Sequence, residues 1–244
     1  MDRDLNRYQE DYAANPFEGA MVEIRRKMVL NFLRSHDLKN ILEVGCGGYP
    51  LFEDLENFES FVVVDPGLNF CERARAAAAL HSKPDRIQIH QVPFEDFEPS
   101  ESIDCIVISS LLHELADPAI MLRHGFKMAP SDCWLHVNVP NARSFHRLLA
   151  VESGLIRNVY EKSATQIRMQ QSHTFDLESL AELVRTSGFE IVESGSYFIK
   201  PFTHAQMQQL IETGLLTKNL IEGLMGMERH APGLGAEIFV NAQK

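Results

Sequence analysis

The chain has 244 residues, 45% of them hydrophobic, which is enough to bury a full core as one α/β domain or two small ones. Acidic residues outnumber basic ones by 34 to 23, and the only basic run is Arg25, Arg26 and Lys27. This composition argues against a nucleic-acid substrate, because phosphate binding needs a basic patch. The four cysteines lack disulfide-framework spacing, the N-terminus lacks an apolar signal core, and no apolar run reaches bilayer length. We therefore expect a cytoplasmic protein without membrane insertion.

The apolar pattern predicts alternating helices and strands. Two helical segments, residues 3–14 and 18–33, precede the first strand. The first five strands are predicted at residues 41–44, 61–64, 87–92, 103–108 and 134–139, with helices at 69–80 and 118–128. Such alternation implies a doubly wound, mostly parallel sheet with helices on both faces.

Beyond residue 142 the pattern is less regular. We predict helices at residues 144–151, 161–173 and 176–187, a strand at 189–199 bent at Gly195, a helical segment at 203–227 and a last strand at 236–242. The chain then has seven strands in all. No internal repeat or low-complexity linker interrupts it, so one domain is preferred.

The glycine-rich stretch that follows the first strand organises the rest of the chain. An apolar run ends at Val44, and Gly45, Gly47 and Gly48 break it, which predicts a buried strand, a tight turn and the start of a helix. Glycines let a ligand approach the backbone closely, and a helix start offers N–H groups to an anion. A dinucleotide fingerprint would require a further glycine where this chain has Pro50, which disfavours a nicotinamide cofactor.

Glu43, Gly45 and Gly47 occupy the fixed positions of the pattern (E/D)-x-G-x-G. The segment resembles motif I of the class I S-adenosylmethionine-dependent methyltransferases. The resemblance covers residues 38–142 and, more loosely, the C-terminal region. It implies S-adenosylmethionine as cofactor and a Rossmann-like methyltransferase fold that ends in an antiparallel hairpin. It also implies a single domain, 1–244, with a helical cap at 1–37, a cofactor-binding core at 38–142 and a substrate side at 143–244.

Polar side chains at the strand ends should meet in one crevice, because parallel sheets bind ligands beyond the carboxyl ends of their strands. Asp65 is suited to accept hydrogen bonds from ribose hydroxyls, the alternative being a turn-starting aspartate. Residues 92–97 resemble the family's adenine-pocket segment, although Pro93 replaces its aspartate, so that Glu95 or Asp96 would contact the adenine. The predicted cofactor-binding residues are Glu43, Gly45, Cys46, Gly47, Asp65, Phe94, Glu95 and Ser109.

Residues 112–118, L-H-E-L-A-D-P, resemble the family's fourth motif, L-E-H-x-x-D-P, with the histidine and the glutamate exchanged. His113 is a candidate general base, because a neutral imidazole has a pKa near working pH, and its alternative role is packing. His146 and His173 compete with it for that role. His113 and Glu114 could hold a cation, but no metal-ligand spacing is convincing and we expect no metal.

Residues 140–147, P-N-A-R-S-F-H-R, resemble methyltransferases of surface-sugar and nucleotide-sugar pathways. Arg143 and Arg147 are expected to bind a phosphate or carboxylate of the substrate, unless they are merely solvated, and Tyr8 is expected to contact substrate or cofactor. The predicted function is O-methylation of a small molecule such as a sugar or nucleotide-linked sugar. The alternatives are N- or O-methylation of another metabolite, or a non-catalytic S-adenosylmethionine-binding partner protein. A homodimer is also considered.

Overall fold

The computed structural model describes residues 17–244, so the predicted helix at residues 3–14 and the contact of Tyr8 lie outside the described residues. Within this range the chain forms seven strands and eight α-helices. The strands are β1 Asn40–Val44, β2 Ser60–Val64, β3 Ile87–His90, β4 Cys105–Ser109, β5 Trp134–Pro140, β6 Glu190–Tyr197 and β7 Glu237–Gln243. The helices are α1 Glu18–Ser35, α2 Leu68–Leu80, α3 Pro118–Met128, α4 Phe145–Glu152, α5 Ala164–Arg168, α6 Leu177–Thr186, α7 His204–Glu212 and α8 Lys218–Gly226.

The strands form a single sheet in the order β3-β2-β1-β4-β5-β7-β6. Neighbouring strands from β3 to β5 are parallel, whereas β7 runs antiparallel to both β5 and β6. The predicted fold, a mostly parallel seven-stranded sheet with an antiparallel C-terminal hairpin, is confirmed. The strand order reverses between β1 and β4, and such a switch point opens a crevice beyond the carboxyl ends of these strands.

Both faces of the sheet are covered, because consecutive strand residues point to opposite sides. In β1, Ile41 joins the apolar cluster formed with α1 and α2, and Leu42 joins the cluster formed with α3 and α6. A third cluster joins the start of α1 to the C-terminal half of the chain, where Phe17 packs 6.1 Å from Phe198 between ring centroids. No helix among residues 17–244 combines the length and apolar character that crossing a membrane requires.

The prediction that a helix begins directly after the glycine turn is wrong. Residues Leu51–Asp54 form a short 3₁₀ helix after Pro50, and the next α-helix begins only at Leu68. The exposed helix predicted at residues 161–173 is also shorter, since only Ala164–Arg168 is helical. The backbone N–H groups that follow it, at 172 and 173, donate to the His113 carbonyl instead of continuing a helix.

Two predictions near the C-terminus also differ from the structure. The irregularity in β6 is a register shift between Ile191 and Glu193, whereas the pairing with β7 is continuous at Gly195, where a bend was predicted. The helical segment predicted at 203–227 is divided into α7 and α8. Gly214, with a φ of +73°, ends the first of these helices, because this left-handed conformation interrupts helical hydrogen bonding.

Candidate functional site

A cleft of about 390 Å³ opens at the carboxyl edge of β1, β2 and β4. Its volume lies within the range of small-molecule sites, roughly 300–1,000 Å³. The sequence-predicted cofactor residues, Glu43, Gly45, Cys46, Gly47, Asp65, Phe94, Glu95 and Ser109, all line it. The convergence expected from the strand order is therefore present. Sequence reasoning missed part of the lining, which includes Leu111 of the opposite wall and Arg25 and Arg26 of α1.

The glycine turn forms the floor of the cleft. Gly45 and Gly47 have φ angles of +75° and +56°, which L side chains rarely adopt. A Cβ at Gly45 would lie 2.9 Å from the Leu111 Cδ2 atom on the opposite wall, whereas one at Gly47 would meet nothing within 4 Å. A side chain at position 45 would therefore have to displace the end of the flexible Leu111 side chain and also adopt a left-handed backbone, whereas position 47 is constrained by backbone conformation alone.

Glu43 supports this turn from below. Its Oε2 accepts a hydrogen bond of 2.9 Å from the Leu51 N–H, and the residue is only 4% exposed. Burial raises the pKa of the Glu43 carboxyl to about 8, against the opposing effect of the Leu51 hydrogen bond. At neutral pH this carboxyl is therefore mostly protonated, and it links the end of β1 to the 3₁₀ helix beyond the turn.

Asp65 and Cys46 form the adjoining wall. The Asp65 Oδ1 accepts from the Gly67 N–H at 2.7 Å, so the residue starts a turn and also lines the cleft. The Cys46 sulfur lies 3.9 Å from the Asp65 Oδ2. Burial raises the pKa of the Cys46 thiol far above its usual range, so it stays protonated and acts as a small packing group.

The segment after β3 supplies the third wall. Phe94 is buried in a 3₁₀ helix and meets the His124 ring edge-on at 5.1 Å between centroids. Glu95 is exposed at the rim of the cleft, whereas Asp96, its alternative, is not part of the lining. Ser109 ends β4, and its Oγ lies 3.0 Å from the Asn138 Nδ2. A ring, a carboxylate and a hydroxyl thus reach the cleft from different strand ends.

The exchanged histidine and glutamate occupy different environments. Glu114 lines the cleft, and His113 is buried behind it with its Nε2 3.8 Å from the Glu114 Oε1. The His113 backbone carbonyl accepts the N–H groups of Ser172 and His173, at 2.9 Å each. This geometry favours packing for His113, and its role as base stays a prediction. Among residues 17–244 no three His, Cys, Asp or Glu side chains are grouped so that they could hold a metal ion.

Among the residues that the structure describes, the other predicted catalytic and substrate residues, His146, His173, Arg143 and Arg147, lie outside the lining of the cleft. His173 places its Nε2 3.1 Å from the Ala116 carbonyl oxygen. Arg143 is exposed, and Arg147 donates to the carbonyl oxygens of Val159 and Glu161 at 2.6–2.9 Å. Arg147 therefore holds the chain after α4 in place. The roles proposed for these residues in catalysis or substrate binding remain predictions without support from the cleft.

His146 belongs instead to a buried charged cluster beside the cleft. Burial and the neighbouring Lys200 lower the pKa of His146 well below its usual range. Lys200 Nζ lies 3.1 Å from the His204 Nδ1, and burial lowers the pKa of Lys200 to about 8 and that of His204 to about 3. Arg25 joins this cluster to the cleft, since it lines the cleft and lies 3.2 Å from the Glu237 carboxylate.

This strand order and a glycine turn at the switch point define the fold of class I methyltransferases. A family model described as a methyltransferase domain matches residues 17–194, and the chain belongs to the class I S-adenosylmethionine-dependent methyltransferases. It is an enzyme of the methyl-transferring class, whose cofactor is S-adenosylmethionine. Curated protein sequences yield no match to this chain.

Solved structures similar to this chain include the N-methyltransferase NodS from Bradyrhizobium japonicum WM9 in complex with S-adenosyl-L-homocysteine. The identity is 16%, the TM-score 0.55, and the match covers 95% of this chain and 89% of NodS. An S-adenosylmethionine-dependent methyltransferase from Mesorhizobium loti has 15% identity and a TM-score of 0.57, with 88% and 96% covered. The [4+2]-cyclase SpnF has 17% identity and a TM-score of 0.59, with 89% and 80% covered. At these identities the likeness establishes the fold alone.

Proposed function

We propose that this enzyme transfers the methyl group of S-adenosylmethionine to a hydroxyl oxygen of a small, polar, sugar-like acceptor. The observation that carries the proposal is the meeting of the eight motif residues in one cleft of about 390 Å³. The cleft has features that suit this cofactor: a floor that a Cβ at Gly45 would fill, and carboxylates at Asp65 and Glu95 that can accept hydrogen bonds from hydroxyl and amino groups.

Each wall then has a distinct role. The glycine turn admits the ligand close to the backbone, and Asp65, held by the Gly67 N–H, accepts from the ribose hydroxyls. Phe94 and Glu95 receive the adenine. The bound cofactor supplies an electrophilic methyl group on a sulfonium. The protein contributes mainly by orienting the acceptor against that methyl group, and such orientation accounts for on the order of 7–11 kcal/mol in well-aligned reactions.

Glu114 is the side chain that we assign to the acceptor's proton. It lines the cleft between apolar residues, Leu111 and Leu115, and is 7% exposed. A carboxylate in such surroundings can accept the proton that a hydroxyl releases as it attacks, a contribution of roughly 10²–10⁴-fold in rate. His113 lies behind Glu114 and can hold it in place. The exchange of the two motif residues thus places an acid where the family pattern has histidine.

The charges of the cleft favour an uncharged or cationic acceptor over a phosphorylated one. Besides Glu43, which burial keeps mostly protonated at neutral pH, three acidic side chains line it: Asp65, Glu95 and Glu114. The basic residues of the lining are already in ion pairs, Arg26 with Asp54 at 2.6 Å and Arg25 with Glu237. A phosphate would meet this acidic wall without a matching guanidinium. We therefore prefer a free sugar-like hydroxyl to a nucleotide-linked sugar.

N-methylation of an amine is the second candidate, and Glu114 is the observation that favours it. A buried carboxylate attracts an ammonium group and can take up the proton that the amine must lose before it attacks. NodS, one of the similar structures, is an N-methyltransferase. O- and N-methylation differ in the acceptor atom and share the rest of the proposed site.

The test has a binding step and a transfer step. Isothermal titration with S-adenosylmethionine and S-adenosylhomocysteine should show binding by the wild type, and Gly45→Arg should abolish it because the new side chain fills the cleft. Transfer of a labelled methyl group is then measured with sugars, sugar phosphates and amines. Glu114→Gln should keep cofactor binding and lose turnover. His113→Gln, which changes the neighbouring residue of the same motif, is the matched control variant. Wild-type protein that binds neither ligand would refute the proposal, whereas binding without transfer to any acceptor would favour the non-catalytic partner protein.

The proposal also includes the predicted organisation and setting of the chain. We propose a single domain of residues 1–244 that acts in the cytoplasm on a small molecule rather than on nucleic acid. The formal net charge of −11 supports the last point, since a nucleic-acid substrate requires basic surface. Light scattering after size exclusion tests the proposed homodimer, and a mass of one chain would reject it.

A further inference from the structure

A strip of polar side chains crosses the sheet beneath α1. In β5, His136 and Asn138 point to the same face, because strand residues alternate. Asn138 is the partner of Ser109 in β4, and His136 is the partner of Asn241 in β7. Asn241 is in turn paired with Glu193 of β6. The strip therefore extends from the cleft, at Ser109, to the exposed edge of the sheet.

Hydrogen bonds connect every step of this strip. Asn241 Nδ2 lies 3.0 Å from the Glu193 Oε2, and Asn241 Oδ1 lies 2.7 Å from the His136 Nδ1. His136 Nε2 lies 3.1 Å from the Asn138 Nδ2. At the cleft, Asn138 Oδ1 accepts the Ser110 N–H at 3.1 Å, and Asn138 Nδ2 lies 3.0 Å from the Ser109 Oγ.

The donors and acceptors of these hydrogen bonds can be assigned in order, starting from the Glu193 carboxylate. Glu193 accepts, so the amide nitrogen of Asn241 faces it and the Asn241 oxygen faces His136. The His136 Nδ1 then donates. Burial lowers the pKa of His136 to about 4, so the ring is neutral and its Nε2 accepts from Asn138. The Asn138 oxygen is thereby directed to the Ser110 N–H.

The fold itself does not require these polar groups. Asn138, His136 and Asn241 are at most 3% exposed, in a sheet where most of the buried positions are apolar. Burying a polar side chain costs free energy unless it is hydrogen-bonded, and apolar residues of similar size often serve a core equally well. The strip ends where the backbone is unusual, since Ser110 has a φ of +55°. Both Ser109 and Ser110 line the cleft.

We propose that Asn138 and His136 are positioning residues, which hold the Ser109–Ser110 corner in the geometry that binds the cofactor. The inference rests on the proposed function of the cleft. Asn138 acts directly, because its side-chain and backbone oxygens both accept the Ser110 N–H, at 3.1 and 2.9 Å. His136 acts through Asn138 and lies outside the lining of the cleft, so it influences a ligand only by way of this contact.

His136→Leu tests the inference, since it removes the group that orients Asn138. We expect roughly tenfold weaker S-adenosylhomocysteine binding by isothermal titration, the effect of one lost or misdirected hydrogen bond. His136→Gln keeps an amide oxygen that can accept from Asn138 and should restore most of the affinity. Val137→Ala is the matched control, because Val137 is fully buried in the same strand and points to the other face. It should lower the melting temperature without weakening binding.

A second readout does not depend on ligand binding. The Ser110 amide should exchange its hydrogen faster in His136→Leu than in wild type. In Val137→Ala, the exchange rate at Ser110 should change no more than the loss of global stability explains. Wild type that fails to bind S-adenosylhomocysteine would reject the proposed function, and the exchange rates would still decide the inference. Equal affinity and equal exchange in wild type and His136→Leu would overturn it. If His136→Leu does not fold, Asn241→Leu breaks the strip one step further away and should change both readouts in the same direction.

Discussion

Replacing Glu43 with Gln should change how folding stability depends on pH. Burial raises the pKa of Glu43 from its ordinary 4.5 to about 8, so the folded chain binds this proton more tightly than the unfolded chain. The resulting stabilisation is fully present below pH 4.5 and is lost as pH rises through 8. Between pH 4.5 and pH 8 the free energy of unfolding should therefore fall by about 1.4 kcal/mol per pH unit, which is on the order of 5 kcal/mol in all. Gln keeps the acceptor for the Leu51 N–H and does not titrate.

Urea denaturation between pH 5 and pH 9 measures this effect as the difference between wild type and Glu43→Gln. The free energy of unfolding of wild type should fall relative to the variant by about 1.4 kcal/mol per unit from pH 5 to pH 8, then level off. Glu95→Gln removes an exposed carboxyl from the same cleft and is the matched control. Its free energy of unfolding should depend on pH in the same way as that of wild type. Parallel curves for wild type and Glu43→Gln would refute the assignment of a buried, protonated carboxyl.

Three further substitutions test other parts of the structure. Gly45→Ala and Gly47→Ala both force alanine into a left-handed conformation, but only the first meets Leu111, so Gly45→Ala should weaken S-adenosylhomocysteine binding more by titration. Arg147→Ala removes the hydrogen bonds to the Val159 and Glu161 carbonyls, so it should lower the free energy of unfolding by roughly 2–3 kcal/mol. Proteolysis near residue 160 should become faster while cofactor affinity stays the same. Cleavage at the wild-type rate or slower would contradict this prediction. Burial lowers the pKa of Lys200 to about 8, so wild-type stability should rise between pH 8 and 10.5 and that of Lys200→Met should not, as urea denaturation would show.

Much of the fold could be predicted from local sequence signals. The buried strands are short apolar runs, and glycine or proline marks where several of them end, so their positions follow from neighbouring residues alone. The antiparallel C-terminal hairpin was predicted from family resemblance, because pairing between strands at least forty residues apart leaves no local pattern. The bulge after Ile191 and the short α5 were missed for a related reason. The bulge depends on pairing with β7, and after α5 the N–H groups of residues 172 and 173 donate to the distant His113 carbonyl instead of continuing the helix.

The two halves of the site were predictable to different degrees. The residues predicted to bind the cofactor lie at or near strand ends, and a parallel sheet brings those ends together whatever the conformation of the loops. The candidate base could not be predicted in this way, because one residue along a 3₁₀ helix decides that Glu114 lines the cleft and His113 does not. Arg147 looked like a ligand for phosphate and instead holds carbonyl oxygens 12 and 14 residues further along.

The sequence by itself determined the class of enzyme, the strand that carries the glycine turn, and a set of strand-end residues that meet in the cleft. Only the tertiary structure decided which further acidic and basic groups line the cleft, and that a polar strip crosses the sheet from Glu193 to Ser109. The physical reason is the distance along the chain over which each kind of interaction acts. Strand, turn and glycine signals act over a few residues, whereas the direction of a side chain at the cleft is set by packing between elements far apart in the chain.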